Sequence, residues 1–498
     1  MSVTIYPKAS RKAVRLPAVD MRGASSAMLD SLQLLRASMA LAVSGKRYAH
    51  GGDSRGAQGF ADTTDQLINN MYVAAMTSRN WPAWLMLLAG QPLQLVQACG
   101  RGGDRTSQFV ARQHNPLGGS LFGRNELAGW TPYRPNWFFL SLGINNVLNN
   151  VSLEDSLRDA RLILNEARRL GTIVVWPTEP PEGPLGTPFT ATERVALAAW
   201  NEGLKALRAE YPNNLRVPDA FAAFLNPLTG RSYPGLHNDP LTGKAVHLNN
   251  AGAYRMALTV FKEIGPELCE STLLIRGSAA NITTGSAVGQ YQVNPLLQGN
   301  VLYNAGDLAN SVLGAQVAFG GGTSGGTATL IDDPEGNGKA VQIDVTYTSN
   351  LSAFALLVFK DSAGQFVGGE NICGVARVRV GLPGAAPGLL AEGMTAAHKV
   401  RCPEHVLNVT DAVADGGAIN SRQALVNSAD DRGVESAFSG ITATPTFQVK
   451  ANAPQKVEQS LYLRGFADEP AAGPVRWIVS LPQLRPITPA QKPPSPWA

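Results

Sequence analysis

Ser54 stands in Gly51-Gly52-Asp53-Ser54-Arg55-Gly56, directly after a short apolar run. A serine on a tight, glycine-flanked turn between strand and helix exposes its hydroxyl and sets its own N–H beside a reacting carbon. The same residues suit an ordinary loop with a serine cap, or a phosphate cradle. In Cys99-Gly100-Arg101-Gly102-Gly103-Asp104-Arg105-Thr106, glycine lets a backbone N–H approach a ligand closely; a tight turn with Asp104 capping the next helix reads equally well. Leu142-Gly143-Ile144-Asn145-Asn146 offers a side-chain amide that can donate to an anionic oxygen, or an Asx-turn. His247-Leu248-Asn249-Asn250-Ala251-Gly252 offers an imidazole ahead of a helix, where a lone histidine is usually structural. Together these types make nucleophilic chemistry feasible. A serine hydroxyl is a poor nucleophile until a base such as imidazole takes its proton, and attack on an ester carbonyl creates an oxyanion that needs preorganised donors.

Such residues act only if separate elements bring them together. Between about Lys46 and Leu268, short apolar segments alternate with amphipathic ones. Arg47–Gly51, Leu93–Ala98, Trp137–Leu142, Thr172–Trp176 and Leu215–Val217 read as strands. WFFLSL and TIVVW are nearly continuous apolar runs, as strands covered on both faces require. Leu153, Leu157, Ala160, Leu164 and Ala167 recur at helical spacing ahead of Gly171, a C-cap candidate. Thr190–Tyr211 and Gly252–Ile264 read as helices too. The alternation predicts a parallel, doubly wound sheet with its chemistry in loops beyond the C-terminal strand ends, which is where all four motifs fall.

Serine, glycine, asparagine and histidine, each in such a loop and in that order, resemble the SGNH (GDSL-like) hydrolase family across roughly residues 46–264. The resemblance implies a three-layer α/β/α, flavodoxin-like domain and an acyl-enzyme mechanism without metal or organic cofactor. It makes Ser54 the nucleophile and His247 the base. The oxyanion hole would comprise the N–H of Ser54, the N–H of Gly103 and the side-chain amide of Asn145. Two departures stand out. The family places an aspartate three residues before the histidine, where this chain has Lys244; Asp239 is the nearest upstream acid and the candidate third triad member. A backbone carbonyl or water in its place leaves a Ser–His dyad. Asn146 stands where many members carry aspartate. His237 is a rival base, but only His247 precedes the family-like LNNAG helix start.

Beyond Cys269 the texture changes. Residues 277–299 are rich in Gly, Ser, Asn and Thr, and Val341–Thr348, Phe354–Phe359, Val375–Val380, Thr446–Lys450, Ser460–Arg464 and Val475–Leu481 read as strands, several with period-two alternation. No convincing helix pattern interrupts them, which predicts a β-sandwich. The expected organisation is a leader or helical segment over 1–45, a hydrolase domain over 46–270, a linker over 271–299, a jelly-roll-like β-sandwich over 300–485 and a Pro-rich tail over 486–498.

The chain has 498 residues, 44% hydrophobic and 16% charged, with net charge +4. Its basic residues are dispersed, which gives no reason to expect a nucleic-acid partner, and no apolar run is long enough to span a bilayer. The N-terminus lacks the apolar segment of a secretory signal. Cys373 and Cys402 can meet within one β domain, but reduced, buried thiols are the preferred reading of all four cysteines. The closing strand 475–481 resembles that of carbohydrate-binding modules in phage tail proteins. That resemblance implies a virion tail esterase, trimeric as such proteins often are, that deacetylates O-acetylated surface polysaccharide. The alternatives are an inactive structural or glycan-binding tail protein, and a flavodoxin-like flavin or nucleotide binder, which leaves Asn145 and His247 unexplained.

Overall fold

The computed structural model describes short pieces at 3–5, 14–16, 67–68 and 71–72 and, apart from brief gaps, residues 47–57, 80–113, 135–268 and 315–487. Asp239, the apolar stretch 32–43, the linker 277–299 and the tail beyond 487 lie outside the described residues.

Five parallel strands form the first sheet: β1 (Arg47–Gly52), β2 (Gln94–Gly100), β3 (Trp137–Ser141), β4 (Ile173–Val175) and β5 (Leu215–Arg216), in the order β2-β1-β3-β4-β5. Successive side chains of β3 explain its continuous apolar run. Trp137 and Phe139 join one buried cluster, Phe138 and Leu140 the other. Helices α2 (Trp81–Leu88), α7 (Ala220–Phe224) and α8 (Asn250–Ile264) contribute to the first cluster. Helices α3 (Thr106–Gln113), α5 (Leu153–Leu170) and α6 (Ala191–Glu210) contribute to the second. Both faces are therefore covered, as the alternation predicts. Local signals fix the helix ends: Ser152 caps α5, which stops at Gly171 in the left-handed region, and Thr190 with Glu193 forms a capping box on α6.

Helix α2 was not legible. Its sequence, WPAWLMLL, is apolar all round and carries no 3.6-residue stripe. The structure supplies the reason: Trp81 to Leu87 are all buried. On the side of β-rich residues, the ring of Trp84 meets that of Phe438 edge-on at 5.2 Å.

The second region holds two antiparallel sheets. One runs β6 (Ala315–Gly320), β9 (Phe354–Lys360), β17 (Gln455–Phe466), β13 (Glu404–Asp411), β14 (Ala418–Arg422), with β12 (Lys399–Val400) also on β17. The other runs β7 (Gly325–Asp332), β8 (Lys339–Thr346), β18 (Val475–Ile487), β10 (Asn371–Pro383), β11 (Leu390–Ala391), with β15 (Phe438–Ala443) and β16 (Phe447–Gln448) also on β10. Inward side chains of both sheets, Leu357, Leu461 and Leu463 from one and Ile343, Val378 and Trp477 from the other, belong to the same buried cluster as α2 and α8. Cys402 is buried.

Candidate active site

The order β2-β1-β3 reverses direction at β1, the switch point where open α/β sheets bind ligands. Gly52 ends β1 at φ +126, and a Cβ there would lie 1.8 Å from the Ser141 carbonyl oxygen. Only glycine lets the turn pass so close to β3, and the Asp53 N–H then donates to that oxygen at 2.8 Å. Ser54 follows as the first residue of α1 (Ser54–Ala57).

His247 arrives from the far end of the domain. Backbone bonds pair its segment with residues 236–238: Asn238 N–H donates to the His247 carbonyl at 2.9 Å, and Asn249 N–H to that of Leu236 at 3.2 Å. Asn249 caps α8. This pairing brings His247 Nε2 to 2.8 Å from Ser54 Oγ, across 193 residues of sequence. With Nε2 unprotonated, the hydroxyl donates to it.

The rival His237 stands elsewhere, buried against Phe224. Burial first, then the positive surroundings of Arg55, His247 and Arg231, push its pKa down to about 3, so it stays neutral. Lys244 does not substitute for the family's aspartate. Its ammonium pairs with Glu193 and lies 5.3 Å above the Phe189 ring.

The glycine loop reaches the serine through Gly102, where a Cβ would sit 4.0 Å from that of Ser54. Gly103, at φ +82, has open space around it. A groove of about 340 Å³ opens here, lined by Arg101, Gly102, Gly103, Asp104, Gln108 and Ala111. Asn145 sits in α4 (Ile144–Leu148), and its Nδ2 donates to the Asp104 carbonyl at 3.0 Å. Gly143 before it adopts φ +143, and a Cβ would meet Trp200 Nε1 at 2.4 Å, so glycine is required again. Asn146 has a separate task. Its amide donates to Thr106 Oγ1 and Ser156 Oγ, both at 2.7 Å, and its Oδ1 accepts the Thr106 N–H at 2.9 Å. An aspartate could accept there but not donate.

Sequence reasoning missed a charged group under this site. Arg55, buried, binds Asp53 through Nη2 at 3.2 Å and pairs with Glu179 through Nη1. Burial pushes the Glu179 carboxyl up; Arg55 and the N–H of Ile144 pull against that rise. The one available signal was an acid set in the Pro-rich run Thr178-Glu179-Pro180-Pro181, just after a buried strand. Among the described residues, no group of three or more His, Cys, Asp or Glu is arranged to hold a metal. Nor, among them, is any helix long and apolar enough to cross a membrane.

Residues 52–255 match the sequence model of the GDSL-like lipase/acylhydrolase family. Solved structures similar to the chain include an acetylxylan esterase from Geobacillus stearothermophilus, at 21% identity over 45% of this chain and 95% of that one, with TM-score 0.32. Another, described as a lipolytic protein of the G-D-S-L family from Desulfitobacterium hafniense DCB-2, shows 15% identity over 44% of this chain and 99% of that one, with TM-score 0.31. No curated protein matches the chain.

Proposed function

We propose that the chain is a serine esterase working through a Ser54 acyl-enzyme. The observation that carries this reading is the 2.8 Å approach of His247 Nε2 to Ser54 Oγ. The Ser54 proton passes to His247 Nε2 as Oγ bonds the ester carbonyl carbon. The C–O bond to the alcohol then breaks, and the imidazolium returns the proton to the departing alkoxide. Water repeats the sequence on the acyl-enzyme, giving the acid and free serine. The oxyanion meets the Ser54 N–H, the Gly103 N–H and the second hydrogen of Asn145 Nδ2. Asp239 is the proposed orienter of His247, five residues before the Lys244 position where the family carries its acid.

The substrate is proposed to be an O-acetylated surface polysaccharide, and the setting a phage tail. The two antiparallel sheets, sharing one cluster of inward side chains, suit a jelly-roll-like sandwich that holds glycan near the groove. The engagement of Lys244 by Glu193 favours the competing reading, a glycan-binding protein that has lost hydrolysis. Hydrolysis of p-nitrophenyl acetate, and acetate release from an O-acetylated polysaccharide, separate the two. Ser54→Ala is expected to lower both rates by roughly 10⁴–10⁶-fold without altering the melting temperature. Equal rates for wild type and variant would leave the binding reading standing.

A further inference from the structure

Three consecutive residues of α4 face two other connections, the one after β4 and the one between β2 and α3. The Ile144 N–H lies close enough to the Glu179 carboxylate after β4 to favour its charged form. Asn145 Nδ2 reaches the Asp104 carbonyl after β2, and Asn146 holds Thr106 at the start of α3. Glu179 extends the first of these contacts to the nucleophile, because its carboxylate also pairs with Arg55, which in turn binds Asp53. The backbone of Glu179 is itself fixed: its N–H donates to Asn201 Oδ1 at 2.8 Å, and its carbonyl accepts Asn201 Nδ2 at 2.9 Å. One buried carboxylate thus joins the turn after β1, which presents the Ser54 N–H, to the helix after β3, which presents the Asn145 amide.

We propose that Arg55 and Glu179 are positioning residues that set the spacing between Ser54 and Asn145, so that the oxyanion hole is formed before substrate arrives. The proposal rests on the esterase reading of those two residues. A buried ion pair is a poor source of net stability, since well-packed apolar residues often replace it at no loss. Its geometric effect is different in kind: one carboxylate, paired with Arg55 and facing the Ile144 N–H, ties the turn after β1 to the start of α4. A misplacement of about 1 Å at a reacting centre costs on the order of 100-fold in rate.

The test compares Arg55→Lys, Glu179→Gln and the double variant Arg55→Met/Glu179→Leu, in which neither charge is left buried alone. With p-nitrophenyl acetate, the double variant is expected to lose about 10–100-fold in kcat with KM within about twofold. Labelling of Ser54 by a fluorophosphonate, whose tetrahedral adduct needs the same donors, falls in parallel. Glu179→Gln keeps an acceptor for the Ile144 N–H and recovers most of the loss. A double variant that melts cooperatively with unchanged kcat, or whose loss lies wholly in KM, overturns the proposal. If the double variant does not fold, unchanged kcat in Arg55→Lys, whose single ammonium cannot reproduce the guanidinium contacts to both Asp53 and Glu179, does the same. Should the wild type neither hydrolyse the ester nor take the label, the esterase reading fails on its own. The crystal structure of the double variant, or of Arg55→Lys if the double variant does not fold, then decides the positioning role: a shifted Ser54–Asn145 separation supports it, and an unchanged one overturns it.

Discussion

Buried charge is handled differently in the parallel and antiparallel regions. In the antiparallel sheets, Arg476 on β18 sits directly opposite Asp344 on β8 and binds it through two bonds, of 2.7 and 2.9 Å. Arg464 on β17 reaches Glu404 on the adjacent strand β13 at 3.1 Å. These pairs follow from strand register and stitch neighbours together. In the parallel region, Arg55 in α1 and Glu179 after β4 are related by no strand register, and Arg55 directly follows Ser54. The first kind of pair reinforces a sheet that its backbone already specifies. The second kind adjoins the residues proposed to carry the chemistry, and its proposed effect is on their spacing.

Breaking each kind in turn tests the distinction. The largest effect on stability is expected from Arg476→Ala, which takes the cation from Asp344, leaving it, among the described residues, only the Gln342 amide, and removes a donor from the carbonyls of Ala386 and Leu389. The expected cost is about 3 kcal/mol, read by denaturant unfolding, with ester hydrolysis within about twofold of wild type. A comparable loss of kcat would erase the contrast between the regions. Asn145→Ala is the mirror case. It is expected to lower kcat by about 10²–10³-fold, or roughly 3–4 kcal/mol of barrier, with little change in melting temperature; a normal kcat would remove Asn145 from the oxyanion hole.

The smallest effect is a slope with pH. His50 and His237 are buried in the parallel region, and burial lowers each pKa to about 3. The unfolded chain binds these protons near pH 6.5 and the folded chain only near 3. Stability is therefore full above about pH 6.5 and falls as pH drops toward 3, by up to about 1.4 kcal/mol per unit for each histidine. Melting curves between pH 7 and 4 should show the decline, and His237→Gln should flatten it. A profile in which His237→Gln changes nothing would show that this ring is not held neutral by the fold.

Much of the architecture was legible because it follows from periodicity. The helix expected over Leu153–Leu170 has those bounds, and Trp137–Leu142 forms β3 to within one residue, since a run apolar on both faces has few other places to go. The helix expected over Thr190–Tyr211 spans Ala191–Glu210. Helix α2 escaped because burial on every side removes the stripe that marks a helix. Of the strand expected over Thr446–Lys450, Phe447–Gln448 forms β16, and residues 446, 449 and 450 lie outside the described residues.

At the site, residue types and their order picked out Ser54 and His247, because a hydroxyl, an imidazole and glycine turns at strand ends are visible one at a time. Their 2.8 Å approach was not visible, for it depends on backbone pairing between 236–238 and 247–249. Nor could sequence foresee that Gly102 lies against the serine, that Lys244 turns to Glu193, or that Glu179 links Arg55 to Ile144. Local sequence sets which groups exist and which element carries each. Distances between loops far apart in the chain arise only when the sheet orders its strands and the core fixes their separation, so tertiary structure alone decided them.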